Sequence, residues 1–328
     1  MTWGNRRMVA IRGGIPRWVS AVIASLFLVA CASAAPTPLA RRPTAPTARR
    51  AESNSARLAT WIWKSETILD NEQCGAFLAF ARERRVDTVY LQYSPKYEDI
   101  AGFEHFSTFM RLAYSSGIQV MFVAGDPKWA LSNQHAGALR IIDRTAQLNR
   151  RLRAEKVPGV EGVQYDIEPY LLADWKARPG TVEPQFVALL AKLHQVSRRE
   201  QLALWFTLPF WFEHHPFDKT TLDRAAFPYA DGIVIMAYRD SVPRVLRAVQ
   251  GVIAHALAAE CPIVVAIETA CNQPTGIAFC GSSQRELEQG LDALRDGMSG
   301  DPWFAGLAVH HYASWRALRP GMDQDTQP

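Results

Sequence analysis

Short runs of apolar and β-branched residues alternate along the chain with longer segments in which apolar residues recur at helical spacing. Eight such runs predict β-strands at Thr60–Lys64, Thr88–Tyr93, Gln119–Val123, Gly162–Asp166, Ala203–Leu208, Gly232–Ala237, Pro262–Ile267 and Gly306–His311. The intervening segments predict helices, among them Glu72–Arg84, Ala136–Glu155, Pro184–Arg199, Pro243–Ala259 and Ser283–Gly297. Nearly continuous apolar strands are typical of parallel sheets buried on both faces. The pattern therefore predicts an α/β fold, a single (β/α)8 TIM barrel over residues 59–320 with a short tail at 321–328.

The chain begins with a segment that has the charge pattern of an export signal. Four arginines precede an uncharged apolar run from Trp18 to Ala30. A helix of that length spans about 20 Å, less than the roughly 30 Å hydrocarbon core, so residues 1–31 predict a signal peptide and not a membrane span. Leu28-Val29-Ala30-Cys31 resembles the bacterial lipobox, which predicts lipidation of Cys31, and cleavage after Ala32-Ser33-Ala34 is the alternative. We therefore expect an exported protein, either a periplasmic or cell-surface lipoprotein or a freely secreted one.

The net charge of the chain divides unevenly between the leader and the body. Residues 32–58 are rich in Ala, Pro, Thr and Arg without apolar periodicity, which predicts a flexible linker. Residues 1–58 carry nine arginines and one acid, Glu52, and so have a charge of +8; the whole chain is +4, which leaves −4 for the body. A body of that charge has no electrostatic reason to bind phosphate backbones, so nucleic acid is not an expected partner. We expect a monomer that meets a membrane only through its lipid.

Export would place the remaining cysteines in an oxidising compartment. Cys271 and Cys280 lie nine residues apart in a segment that contains Pro274 and Gly276. We therefore expect a local disulfide between them. Cys74 and Cys261 fall on separate predicted elements and are expected to be buried thiols.

Polar and aromatic residues gather at the carboxyl ends of the predicted strands, where barrels of this kind place their chemistry. The candidate binding residues are Trp61, Trp63, Gln92, Tyr93, Asp126, Trp129, Gln164, Tyr170, Trp211, Asp240, His310, Tyr312 and Trp315. A ring of aromatic residues around carboxylates suits a sugar, because a pyranose has an apolar face that stacks on aromatic rings and an edge of hydroxyls. The alternative is that about half of these aromatic residues only pack the barrel mouth.

Two acids leave the fourth predicted strand on one face. Side chains alternate along a strand, so Gln164, Asp166 and Glu168 point the same way, into the barrel. Like charges close together cannot easily both ionise, so the pKa of one acid should rise. A glutamate that keeps its proton near neutrality can act as a general acid on a glycosidic oxygen. The alternative is a structural salt-bridge cluster in the barrel.

The segment Glu161-Gly162-Val163-Gln164-Tyr165-Asp166-Ile167-Glu168 resembles the strand-four pattern of glycoside hydrolase family 18, the chitinase-type barrels, Asp-Gly-x-Asp-x-Asp-x-Glu. Met236-Ala237-Tyr238 is similar to the Met-x-Tyr of that family's sixth strand. The resemblance implies a retaining glycosidase with Glu168 as acid/base. It also implies that Asp166 orients a substrate N-acetyl group, which attacks its own anomeric carbon, and that Tyr238 hydrogen-bonds the acetamide. The chain departs from the pattern at Glu161 and at Gln164, whose family counterpart tunes Asp166.

A second mechanism uses the same acid with a different partner. Glu168-Pro169 and Glu268, at the end of predicted strand seven, resemble the acid and nucleophile of the large retaining clan that includes cellulases and galactosidases. That mechanism needs two carboxyl groups about 5–5.5 Å apart. A catalytically silent carbohydrate-binding barrel is the rival from another class. The chain contains no GxSxG, GxGxxG, P-loop or CxxC motif, and its adjacent histidines have no metal-ligand spacing, so neither cofactor nor metal is expected.

Overall fold

The computed structural model describes residues 57–320, and these form a closed barrel of eight parallel strands. We number the barrel strands β1 to β8 along the chain. Their bounds are Arg57–Ile62, Thr88–Gln92, Gln119–Ala124, Gly162–Tyr165, Ala203–Pro209, Gly232–Met236, Ile263–Glu268 and Phe304–His310. Each strand pairs with its neighbours in sequence, and β8 closes on β1 with Arg57 opposite Gly306. The predicted (β/α)8 fold is confirmed, and each strand lies within three residues of its predicted bounds.

Helices surround the barrel. In the described part of the chain, α1 to α10 span Glu66–Leu69, Asn71–Glu83, Ile100–Ser115, His135–Ala154, Ala173–Ala177, Glu183–Glu200, Leu222–Ala226, Val242–Ala259, Gln284–Met298 and Tyr312–Arg316. The five predicted helices are present within one residue of their predicted bounds. Local capping explains several starts: Asp70 accepts from the Gln73 N–H at 2.9 Å, and Ser283 forms a capping box with Glu286.

The alternation of side chains along the strands divides the apolar core into two layers. One layer fills the barrel interior and consists of Ala59, Trp61, Tyr90, Met121, Val123, Val234, Val264, Ala266 and Ala308. The other lies between the strands and the helices, and it includes the intervening residues of the same strands, such as Leu91, Phe122 and Phe206. Burying both faces is the reason that the strands read as continuous apolar runs.

Several predictions fall at the edges of the described residues. The predicted signal peptide at 1–31, the lipidation site Cys31 and the tail at 321–328 lie outside them, as does the predicted linker up to residue 56. The linker was expected to continue to residue 58, but β1 already begins at Arg57, because Leu58 and Ala59 pack into the two core layers. Within residues 57–320, no helix combines the length and apolar character needed to cross a bilayer.

The two predictions about cysteines have different outcomes. Cys74 and Cys261 are buried, as expected. Cys271 and Cys280 are free thiols in the structure, so the predicted disulfide between them is not formed. Instead, the Cys271 thiol lies 3.5 Å from the carbonyl oxygen of Cys280, and hydrogen bonding to Cys280 is the first cause of its raised pKa.

Candidate active site

The backbone carries Asp166 and Glu168 out of the barrel on the inward face of β4. Tyr165 and Ile167 are buried in the outer layer, where the Tyr165 hydroxyl donates to the carbonyl oxygen of Ala138 at 2.6 Å. The residues that alternate with them face inward. Gln164 shows this orientation, since its side-chain oxygen accepts a hydrogen bond from Trp61 Nε1 at 3.0 Å. Beyond the strand, Glu168 precedes a 3₁₀ turn at Pro169–Leu171. Proline is tolerated at the first position of that turn, because the backbone N–H that it lacks would have no helical partner there.

A glycine on the neighbouring strand end lets the backbone of Asp166 sit close to β3. The Asp166 N–H donates to the Ala124 carbonyl oxygen at 3.0 Å. A Cβ atom on Gly125 would lie only 1.8 Å from the carbonyl oxygen of Asp166. No side chain fits in that space, so Gly125 is required for the backbone position of Asp166.

The raised pKa of the pair belongs to Asp166. Burial, and secondly the charge of Glu168, raise the pKa of Asp166 to about 7, and His310 offsets part of this rise. Among the described atoms, Asp166 Oδ1 is buried and has no hydrogen-bond partner. The expectation that one of two close acids holds a proton therefore has a physical basis here. That expectation was attached to Glu168 as the general acid, whereas the structure gives Asp166 a raised pKa.

Tyr170 binds the second acid. Its hydroxyl donates a hydrogen bond to Glu168 Oε1. Burial, followed by the negative charges of Glu168 and Asp166, raises the pKa of Tyr170, so the phenol stays a donor. The Tyr170 ring packs edge-on against Trp211, with ring centroids 5.2 Å apart. Tyr170 and Trp211 thus form one wall beside Glu168, on the loops that follow β4 and β5.

Tyr238 completes the inward-facing group. It follows β6, and its ring centroid lies 5.9 Å from that of His310. Burial first, and then the charges of Asp166, Glu268 and Glu168, raise its pKa well above the ordinary value. A protonated phenol near three carboxyl groups can donate a hydrogen bond to a ligand at the barrel mouth.

Glu268 is buried at the end of β7, where all its hydrogen bonds are to the protein. It is 1% exposed. Its Oε1 accepts from the N–H groups of Thr269 and Ala270, at 2.7 Å each, and its Oε2 is 2.8 Å from His310 Nδ1. The other imidazole nitrogen, Nε2, is 2.9 Å from Trp63 Nε1. A carboxylate held by three donors is poorly placed to attack a sugar, so the geometry disfavours the mechanism in which Glu268 is the nucleophile.

Two predicted binding residues lie beneath the mouth and not in it. Trp61 is 1% exposed and Gln164 is fully buried. Their mutual hydrogen bond, and the contact of Trp61 with Tyr90 at 4.8 Å between ring centroids, make them part of the inner core layer. They were predicted to contact substrate because they are near strand ends. Inward-facing residues at a strand end reach a ligand only if no other side chain covers them.

Tyr312 and Trp315 were also predicted to bind substrate, and the structure places them in the outer layer. Both rings pack against Phe80 of α2, at centroid distances of 5.2 and 5.1 Å. After His310 the chain leaves the strand and enters α10, whose helical turn directs these side chains away from the mouth.

Four of the five remaining candidates have side chains with local partners. Trp129 packs against the outward-facing Tyr165. Tyr93 packs against Phe122, and its hydroxyl donates a hydrogen bond to Glu98. Asp126 caps a 3₁₀ turn by accepting from the Lys128 N–H. Asp240 is exposed and pairs with Arg244 at 2.7 Å, and Gln92 is exposed at the end of β2. The residues that the structure groups with the acid pair are Trp63, Tyr170, Trp211, Tyr238, Glu268 and His310.

The sequence analysis missed Thr269 and Ala270, whose backbone N–H groups fix Glu268. Backbone donors can come from almost any residue type, so no sequence signal could have identified them. The Thr269 side chain also donates to the carbonyl oxygen of His310 at 2.9 Å, which ties β7 to β8. Within residues 57–320, no group of three or more His, Cys, Asp or Glu side chains is arranged to hold a metal ion.

Comparison with solved structures supports the fold. The chain resembles a family 18 chitinase from Cycas revoluta in complex with (GlcNAc)3, at 14% identity and a TM-score of 0.52, over 79% of this chain and 96% of that one. A mutant of a plant class V chitinase from the same species is 14% identical, with a TM-score of 0.52 over 80% of this chain and 97% of that one. The glycoside hydrolase domain of PgaB from Bordetella bronchiseptica is 11% identical, with a TM-score of 0.49 over 80% of this chain and 95% of that one. The chain matches no protein-family model and no curated protein sequence.

Proposed function

We propose that this protein is a glycoside hydrolase that cleaves a glycan, with Glu168 as general acid/base and Asp166 as its partner. The observation that carries the proposal is the acid pair at the end of β4, with Asp166 held protonated to about pH 7 and Tyr238 beside it. The fold adds support, since the Cycas revoluta chitinase of similar fold was crystallised with GlcNAc oligomers and with allosamidin.

The unpartnered oxygen of Asp166 supports a substrate that carries an N-acetyl group. Asp166 Oδ1 is buried without a hydrogen-bond partner, and an amide N–H of the substrate would supply one. Gln164 does not supply this hydrogen bond, because its Oε1 accepts from Trp61 and its Nε2, the only donor of the side chain, has no hydrogen-bond partner. Tyr238 would donate its hydroxyl proton to the acetamide oxygen. The site would thereby orient the acetamide toward the anomeric carbon of its own sugar.

In the proposed reaction, the one proton held by the Asp166–Glu168 pair passes through Glu168 to the glycosidic oxygen as the bond from that oxygen to the anomeric carbon breaks. The acetamide oxygen attacks the anomeric carbon from the opposite face and forms a cyclic, positively charged intermediate. Asp166 is left ionised by this proton transfer, and its negative charge stabilises the intermediate electrostatically. Glu168 next removes a proton from water, and the water oxygen opens the ring with retention of configuration. Tyr170 holds the carboxyl group of Glu168 in place throughout.

The test compares Glu168→Gln with Glu161→Gln in the full-length protein. Glu161 is exposed at the opposite end of the same strand, so its variant controls for a charge change. On a glycan panel that includes GlcNAc oligomers, Glu168→Gln should lower hydrolysis by roughly 10²–10⁴-fold while binding persists, and Glu161→Gln should hydrolyse like the parent. Undiminished hydrolysis by Glu168→Gln would remove the assignment. Glycan binding by a parent protein that never hydrolyses would favour the carbohydrate-binding barrel.

A further inference from the structure

We infer that Glu268 and His310 are positioning residues that hold the Trp63 indole as a stacking platform for the sugar. This inference rests on the proposed function of the site. Three hydrogen-bonded side chains from β7, β8 and the end of β1 form the unit, which we call the Glu268 relay. Its role differs from that of a nucleophile, because Glu268 acts through His310 and touches no reacting atom.

The first step in the argument is that the relay has one consistent proton arrangement. Trp63 Nε1 can only donate a hydrogen bond, so His310 Nε2, 2.9 Å away, must be the acceptor. The imidazole therefore carries its proton on Nδ1, which faces Glu268 Oε2 at 2.8 Å. The carboxylate is in turn fixed by the N–H groups of Thr269 and Ala270. Each donor in the relay has an acceptor, and the direction of every hydrogen bond follows from Trp63.

The second step concerns what the relay leaves for a ligand. Both nitrogens of His310 and both oxygens of Glu268 are engaged by the protein, so these two side chains offer no free polar atom to a ligand. Trp63 is half-buried and packs against the inner core layer, with its ring centroid 5.8 Å from that of His310. Such a surface recognises the apolar face of a sugar ring and does not select for a hydroxyl. The relay matters because it holds the indole in one orientation before the sugar binds.

The third step identifies a substitution that changes the hydrogen-bond directions in the relay and keeps the side-chain volume nearly constant. In Glu268→Gln the side-chain amide can place its oxygen on the Thr269 and Ala270 N–H groups and its NH2 on His310. His310 Nδ1 must then accept, which moves the ring proton to Nε2. Two N–H groups would face each other between His310 and Trp63, and Trp63 would lose its only side-chain anchor in the relay.

The experiment measures sugar binding and turnover by the full-length protein. Glu268→Gln should raise KM for a cleaved GlcNAc oligomer about tenfold, the scale of one lost hydrogen bond, while kcat changes less than threefold. Asp223→Asn is the matched control, because Asp223 is also 1% exposed and also binds a histidine Nδ1, that of His255, at 2.7 Å. Its KM should equal that of the parent.

Trp63→Phe supplies the second variant, since it keeps a ring and removes the indole N–H. Its KM should rise as in Glu268→Gln, and the double variant should be no worse than Trp63→Phe alone, because both changes break one pathway. Additive losses in the double variant would overturn the inference. A fall in kcat by three orders of magnitude in Glu268→Gln, or recovery of Glu268→Ala by azide with formation of a glycosyl azide, would instead identify Glu268 as a nucleophile.

A spectroscopic readout keeps the inference separate from the proposed function. Imidazole ¹⁵N chemical shifts should show His310 as the Nδ1–H tautomer in the parent and as the Nε2–H tautomer in Glu268→Gln. An Nε2–H tautomer in the parent would overturn the relay even if hydrolysis depends on Glu168 as proposed. If Glu168→Gln hydrolyses like the parent, the proposed function fails while the tautomer measurement still decides the relay. A parent that binds no glycan overturns both the function and the platform.

Discussion

Substitution of Asp166 by asparagine should change how the stability of the protein depends on pH. The folded pKa of Asp166 is about 7, against an ordinary value of 3.8. Below about pH 4 both the folded and the unfolded chain hold the proton, so this group contributes no difference. Between the two values the folded chain binds one proton that the unfolded chain has lost, so the free energy of unfolding falls by about 1.4 kcal/mol for each pH unit. Above pH 7 the difference is constant.

The magnitude follows from the part of this window that an experiment covers. From pH 5 to pH 8, the contribution of Asp166 falls over the two units up to its folded pKa, or about 2.7 kcal/mol in total. Asparagine is neutral throughout and has nearly the same shape. We therefore expect Asp166→Asn to lose less stability than the parent between pH 5 and pH 8, with a difference between the two proteins of about 2–3 kcal/mol. The variant should be the more stable protein at pH 8.

The assay is urea denaturation of both proteins at pH 5 and pH 8, followed by tryptophan fluorescence. Asp292→Asn is the control, because Asp292 is an exposed partner of Arg295 and should leave the pH dependence of the parent unchanged. Glu168→Gln should reduce the effect, because the charge of Glu168 is the second cause of the raised pKa. Equal losses of stability in Asp166→Asn and the parent would refute the conclusion that the pKa of Asp166 is raised in the folded protein.

Two further predictions separate the residues of the mouth from those of the core. Tyr170→Phe removes the donor to Glu168 and should lower kcat/KM about tenfold or more with little change in melting temperature, as measured by steady-state kinetics and calorimetry; unchanged kinetics would contradict the contact. Trp315→Ala should cost about 3–5 kcal/mol of unfolding free energy in urea denaturation, with glycan affinity retained by the folded fraction, because Trp315 is fully buried against Phe80. A lost affinity at unchanged stability would restore Trp315 to the binding site.

The predicted acid pair illustrates how far local sequence reasoning reaches. The alternation of side chains correctly places Gln164 and Asp166 on the inward face, because a strand has a strict two-residue period. It could not show that the pKa of Asp166 is raised. That depends on how much water and how many charges each carboxyl group meets, and those come from other strands, including His310 on β8 and the close backbone of β3 at Gly125.

Glu268 also shows which features of the site the sequence could predict and which it could not. Its position at the end of β7 was predictable, and so was its resemblance to a nucleophile. Its three hydrogen bonds were not, since two come from backbone N–H groups and the third from a histidine 42 residues away. Tyr312 and Trp315 failed as site predictions for a related reason: once a strand ends, the next few residues can turn either way, and here α10 turns them outward.

The sequence by itself determined the barrel, the order of its strands and the residues that lie near its carboxyl end. These depend on apolar periodicity and on neighbour-to-neighbour pairing, both of which are local properties of the chain. Only the tertiary structure decided which of those residues are covered by other side chains, that the pKa of Asp166 is raised, and that Glu268 is already hydrogen-bonded by the protein. Burial and electrostatic interaction depend on groups distant in sequence, and a linear pattern carries no record of their distances.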